Sequence, residues 1–228
     1  MTKGIFITAT GTDVGKTYVA GLIVKKMRES GFNCGYYKPA LSGAEEVNGK
    51  IIPGDCAYVL KRAGMVAEPI DFVSYIFKPA VSPHLAAEIE NNPIHLNKIQ
   101  EDFNRIKVQF DYIVVEGAGG ILCPFNLGEE KVMLPDVIKA LGLDIIIIAD
   151  AGLGTINATV LTAEYARMNG IEVKGIILNN YNETDIMEKD NKVQIENLSG
   201  YKVIAEVKHD EDDLKIDKDR LVSLFKEV

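Results

Sequence analysis

The chain has 228 residues, enough for one α/β domain with a substantial core. A hydrophobic share of 47% and a charged share of 25% place it among ordinary soluble globular proteins. Its net charge of −8 argues against bulk binding to nucleic acid or an anionic membrane, so any anionic ligand must be held by local lysines and backbone amides.

In chain order, an apolar β-type run over 4–9 enters Thr10-Gly11-Thr12-Asp13-Val14-Gly15-Lys16-Thr17. From Tyr18 onward Val19, Leu22, Ile23 and Met27 recur at helical spacing, which predicts a helix over 16–29 stopped at Gly31. Strand, Gly/Thr-rich turn and helix are the context that makes Gly-Lys-Thr a phosphate loop. Free backbone N–H groups at the helix start and the helix dipole would cradle phosphate oxygens. Lys16 would neutralise the β/γ-phosphates, and the Thr17 hydroxyl would be a Mg²⁺ ligand. The loop is a variant, with Thr10 where strict spacing wants glycine and Gly11 one place late.

A second strand is expected over 33–38, ending at Lys38-Pro39, then a polar loop holding Ser42, Gly43, Gly49, Pro53 and Gly54. A short helix starts at Asp55, the stretch 68–81 reads as irregular, and Ser82-Pro83-His84 opens another helix. The segment 95–109 is amphipathic, with Leu96, Ile99, Phe103 and Ile106 on one face. Tyr112-Ile113-Val114-Val115 reads as a strand ending in Glu116-Gly117-Ala118-Gly119-Gly120. A helix near 133–141, a strand over 143–149, a helix over 155–169, a strand over 173–178 and a short helix over 217–227 complete the pattern. The fold class expected is α/β: a mostly parallel sheet flanked by helices on both faces, of P-loop NTPase type, in a single domain spanning 1–228.

The N-terminus enters its strand without a signal h-region, and the apolar stretch 143–149 is too short for a bilayer. Cys34, Cys56 and Cys123 are odd in number and lack metal-ligand spacing, so they read as reduced thiols of a cytoplasmic protein.

Ligands of such sheets sit beyond the carboxyl ends of the strands, where Lys38, Glu116, Asn179 and Asn180 converge on the phosphate loop. A lysine at this edge beside Lys16 needs an anion between them; the plain alternative is a solvated lysine. Asp55 serves equally as a helix N-cap or as a metal ligand. Glu116, following four apolar residues, is costly unless paired or on a metal, and Gly117, Gly119 and Gly120 allow close backbone approach to a phosphate or substrate. Asp150 is a lesser metal candidate or a helix-start carboxylate. His84 and His209 lack a nucleophile motif, Ser42 has a turn role by default, and His209-Asp210-Glu211-Asp212-Asp213 reads as a solvated acidic loop.

In order and spacing, the phosphate loop, Tyr37-Lys38-Pro39-Ala40-Leu41-Ser42-Gly43, Asp55, Ser82-Pro83-His84, Val115-Glu116-Gly117-Ala118-Gly119-Gly120 and Leu153-Gly154-Thr155-Ile156-Asn157 resemble the dethiobiotin synthetases. The likeness runs from residue 4 to about 180. It implies ATP- and Mg²⁺-dependent ring closure of 7,8-diaminononanoate with CO₂ in biotin synthesis, by a homodimer without nucleic-acid or membrane partners. The resemblance implies nucleotide contacts from Asp13, Val14, Gly15, Lys16, Thr17, Tyr18, Asp55, Glu116, Gly117, Ala118, Gly119, Asn179 and Asn180. It makes Lys16, Lys38 and Thr12 catalytic, and Thr17, Asp55 and Glu116 the holders of Mg²⁺. Substrate contacts are implied for Thr12, Ser42, Gly119 and Asn157, the last across a dimer interface, while Asn179 reads the adenine edge. Three positions depart from the family: Ala9 stands for glycine, the loop's second acidic/Thr pair is shortened to Gly11-Thr12-Asp13, and Ala205-Glu206-Val207-Lys208 stands where Gly-x-hydrophobic-Pro is usual. The competing class is a P-loop ATPase switch of the partition or regulator type, which carries a further lysine where this chain has Gly11. A cobyrinate-type amidating ligase would need a glutaminase domain, for which 228 residues leave no room.

Overall fold

A computed structural model describes residues 1–228. The chain alternates strand and helix: β1 (Lys3–Ala9), α1 (Lys16–Glu29), β2 (Cys34–Ser42), β3 (Glu45–Val47), β4 (Lys50–Ile52), α2 (Gly54–Arg62), β5 (Val73–Phe77), α3 (Pro83–Ile89), α4 (Leu96–Lys107) and β6 (Tyr112–Glu116). There follow β7 (Pro124–Leu127), β8 (Lys131–Met133), α5 (Leu134–Leu141), β9 (Ile145–Asp150), α6 (Thr155–Met168), β10 (Val173–Asn179), α7 (Ile186–Ser199), β11 (Val203–Val207), α8 (Lys218–Val222) and β12 (Lys226–Glu227).

The main sheet has the order β11-β10-β9-β1-β6-β2-β5, every neighbour parallel, and β12 adds antiparallel to the start of β1. The most apolar runs lie at its centre. Ile5-Phe6-Ile7 and Ile145-Ile146-Ile147-Ile148 are wholly buried, as strands covered on both faces must be. On β2 the side chains alternate: Tyr37 reaches the Ile99 carbonyl of α4 on one face, while Tyr36 and Lys38 point to the face covered by α1 and α2. The sheet and its helices enclose one cluster of 65 buried apolar residues.

Several boundaries differ from the sequence reading. β2 does not stop at Lys38-Pro39 but runs on to Ser42, because pairing passes from β6 (up to Tyr37↔Val115) to β5 (Lys38↔Val73 onward). Pro39 lies beyond the last residue paired to β6, so its missing N–H costs no ladder bond on that side. The stretch read as irregular supplies β5, whose alternation of buried and half-buried residues suits an edge strand. The polar loop contains the β3–β4 hairpin, turned at Asn48-Gly49 with φ of 53° and 77°, a pair favoured in tight hairpins. The final helix covers only the five residues of α8 instead of the expected 217–227, and the chain ends as β12 on β1.

Candidate active site

The phosphate loop connects the centre of the sheet to α1. Gly15 adopts φ 92°, and a Cβ there would lie 2.1 Å from the Asn179 amide nitrogen, so only glycine lets the loop close against β10. That nitrogen donates to the Val14 carbonyl at 3.1 Å, while the Asn179 Oδ1 is buried without a partner. Asp13, also left-handed at φ 60°, carries the strain of the turn. Lys16 Nζ folds back onto the Gly11 carbonyl at 2.8 Å. Burial, and then the charge of Lys38, hold its pKa below the ordinary lysine value.

Beside the loop lies a buried polar knot. Glu116, at the end of β6, is fully buried, and its Oε1 accepts from Thr17 Oγ1 and Lys38 Nζ, both at 2.7 Å. Its Oε2 accepts from the Tyr36 hydroxyl at 2.8 Å. Lys38 Nζ also pairs with Asp55 Oδ2 at 2.8 Å. Burial is the largest influence on Lys38 and pushes its pKa down, but Glu116 and Asp55 together outweigh it, and the group ends above the ordinary value. Asp55 is likewise pushed up by burial and then pulled below the ordinary carboxylate range by Lys38 and Thr17. The solvated-lysine reading of Lys38 is thereby excluded, since the residue is only 3% exposed. So is the capping reading of Asp55: the N-cap of α2 is Pro53, and no side chain caps that helix.

A cavity of about 430 Å³ opens on this knot, lined by Thr12, Asp13, Gly15, Lys16, Thr17, Tyr18, Lys38, Ser42, Asp55, Glu116, Ala118 and Gly119 among others. Ser42 is thus the last residue of β2 and part of the cavity wall, not a turn residue. A neighbouring cleft of about 560 Å³ shares Thr12 and Gly119 and is walled by Ile121, Leu122, Cys123, Leu161 and Tyr165. Gly117 joins the site through its carbonyl, 3.4 Å from Lys38 Nζ.

The donor set fits Mg²⁺. Thr17, Asp55 and Glu116 are hard oxygen donors set close together: Lys38 Nζ pairs with both carboxylates, and Thr17 Oγ1 donates to Glu116 Oε1.

Other expected residues are placed differently. Asn180 is exposed and donates to Asp150 Oδ2 at 2.8 Å. Asp150 also accepts from the Gly152 N–H, while Gly154 is the N-cap of α6, so Asp150 fastens a turn instead of starting a helix. Asn157 lies exposed in the first turn of α6, outside both cavities. His84 bonds Ser82, and the three cysteines are free and buried. The acidic loop is not merely solvated. Asp212 pairs with Lys25 and Arg62, Asp213 pairs with Lys26, and the Glu211 carbonyl accepts from Arg62 and Tyr18, which ties the loop to α1 and α2. Arg62 also lies over the Tyr18 ring, 4.6 Å from its centre. The backbone N–H of Lys208, where the usual proline has none, donates to Glu211 Oε2.

The AAA domain family matches residues 3–214. An ATP-dependent dethiobiotin synthetase of Clostridium botulinum strain Loch Maree is 51% identical over the whole of both chains. That of strain Langeland is 57% identical over 192 residues, 84% of this chain and 85% of the other. The chain belongs to the dethiobiotin synthetase family. Solved structures share the fold of this family member at low identity. The ParA family ATPase of Chlorobium tepidum has a TM-score of 0.57 at 16% identity, covering 93% of this chain and 87% of its own. MinD of Pyrococcus horikoshii, solved with Mg-ADP, has a TM-score of 0.55 at 18% identity, covering 92% and 82%.

Tyr36 and the anchoring of the acidic loop were not among the residues and contacts expected. The signal for Tyr36 was available: it stands two residues before Lys38, and a strand's period puts both on one face. The loop's anchors come from α1 and α2, far away in sequence, and left no local trace.

Proposed function

We propose that the chain closes 7,8-diaminononanoate with CO₂ to dethiobiotin, at the expense of ATP, in biotin synthesis. The observation that carries this reading is Lys38, buried between Asp55 and Glu116 beside the phosphate loop and its Lys16, in a chain 51% identical end to end to a dethiobiotin synthetase. One substrate amine adds to CO₂ and loses a proton, giving a carbamate. A carbamate oxygen attacks the γ-phosphorus as the bond to ADP breaks. The second amine then attacks the carbamoyl carbon and loses a proton as the carbon–oxygen bond to phosphate breaks, and the cyclic urea forms.

None of these steps needs an enzyme nucleophile. They need neutralised charge and reacting oxygens held in line. Lys16 moves from the Gly11 carbonyl to the β/γ-phosphates, and Lys38 faces the transferring phosphoryl group and the carbamate. Thr17, Asp55 and Glu116 would hold Mg²⁺, which neutralises phosphate charge when bound. Thr12 and Ser42, with Gly119, line the space between the phosphates and the neighbouring cleft and orient the amines and carbamate there. Asn179 lines neither cavity, and its unpartnered Oδ1, buried behind the phosphate loop, would have to become accessible to accept from the adenine amino group. The protein is a single-domain cytoplasmic enzyme that works as a homodimer, with Asn157 of one copy turned to the substrate carboxylate of the other. No nucleic-acid or membrane partner is part of this proposal.

ADP release tests the reading. It should require both diaminononanoate and CO₂. Release at the full rate without either would mark an ATPase switch instead.

A further inference from the structure

Glu116 has two oxygens with different duties. Oε1 meets Thr17 and Lys38 at 2.7 Å, on the side of Asp55. Oε2 turns the other way and meets only the Tyr36 hydroxyl, at 2.8 Å. Tyr36 is 0% exposed on β2, the strand next to the edge, paired to Val114 of β6, and lines neither cavity. Its hydroxyl has no other partner than Glu116.

The terminal torsion of a glutamate is soft, so a carboxylate held through one oxygen alone can turn. Here the second oxygen is tied to a ring packed into a rigid strand. We propose that Tyr36 is a positioning residue: it fixes the Glu116 carboxylate through Oε2, so that Oε1 faces the Thr17–Asp55 corner, and thereby sets the affinity for magnesium nucleotide. The inference rests on Glu116 being a metal ligand. Partners that orient a ligand in this way typically govern metal affinity by about 10–100-fold.

Calorimetric binding of ADP, with Mg²⁺ and with EDTA, tests this in the wild type, Tyr36→Phe, Glu116→Gln and the double variant. Phe keeps the ring and the core volume and removes only the oxygen. The gain in ADP affinity on adding Mg²⁺ should fall about tenfold in Tyr36→Phe, while affinity in EDTA stays within about twofold. In the Glu116→Gln background, Tyr36→Phe should no longer change the gain, because the tyrosine acts through that carboxylate. A full gain in Tyr36→Phe, an equal loss in EDTA, or an undiminished effect in the Glu116→Gln background would each overturn the proposal. A full gain in Glu116→Gln itself would instead remove Glu116 from the metal, and the role of Tyr36 with it.

Discussion

Replacing Lys38 by alanine separates two roles that the structure gives one ammonium. The group lies 2.7 Å from Glu116 and 2.8 Å from Asp55, and Glu116 is fully buried. Removing one member of a buried ion pair typically costs about 3–5 kcal/mol, because the other charge is left without its counter-ion. Against a typical stability of about 5–15 kcal/mol the protein stays folded at room temperature. In a chain of 228 residues each kcal/mol moves the melting temperature by about 2–4 °C, so a fall on the order of 10 °C is expected. Losing a charge aimed at the transferring phosphoryl group should cost a further ~3 kcal/mol or more in the transition state, a drop in kcat of about a hundredfold or greater. The assay is initial rate at saturating ATP and Mg²⁺, well below the melting point of the variant, with the melt recorded in the same buffer. A kcat within about threefold of wild type would refute the catalytic role. An unchanged melt would refute the energetic reading of the buried knot.

Three more outcomes follow from single contacts. Gly15→Ala puts a Cβ into the Asn179 amide at a left-handed position, so nucleotide affinity should fall at least about tenfold by calorimetry; undiminished binding would contradict the loop geometry. Asp55 is held below its ordinary pKa, so its contribution to stability is full above about pH 4 and is lost as pH falls through the lowered folded value. Urea midpoints of wild type and Asp55→Asn should therefore differ at about pH 6 and converge in stronger acid, and parallel curves would count against the Lys38–Asp55 pair. With the Asn180 amide tied to Asp150 and the Lys208 N–H tied to Glu211, Asn179 Oδ1 is left to choose the base. The expected kcat/KM for GTP and CTP lies within about tenfold of that for ATP, some 1.4 kcal/mol, and a preference of several hundredfold would overturn it.

The central strands, α1 and the phosphate loop were legible in the sequence because each is a local signal: an unbroken apolar run, a helical period, a Gly-Lys-Thr turn. The helix α4 was legible for the same reason, and Ile99, Phe103 and Ile106 are its buried face. Edge and terminal elements were not. β5 is half-buried and flanked by prolines, and β12 is two residues long and exists only because Lys3 and Gly4 offer it a partner. At the site, Lys38, Asp55 and Glu116 could be nominated from position, but the knot they form with Thr17 and Tyr36 depends on which face of β2 meets α1 and α2. That is a property of the assembled sheet. The departure at Lys208 was visible in the sequence, while its consequence, a backbone bond to Glu211, required the fold.

Incubation of the purified protein with ATP, Mg²⁺, 7,8-diaminononanoate and ¹³C-bicarbonate, followed by mass spectrometry, measures ring closure with CO₂ directly. A cyclic urea carrying one labelled carbon, formed one for one with ADP and phosphate, is the expected product. ADP formed without any labelled urea would contradict the proposed reaction.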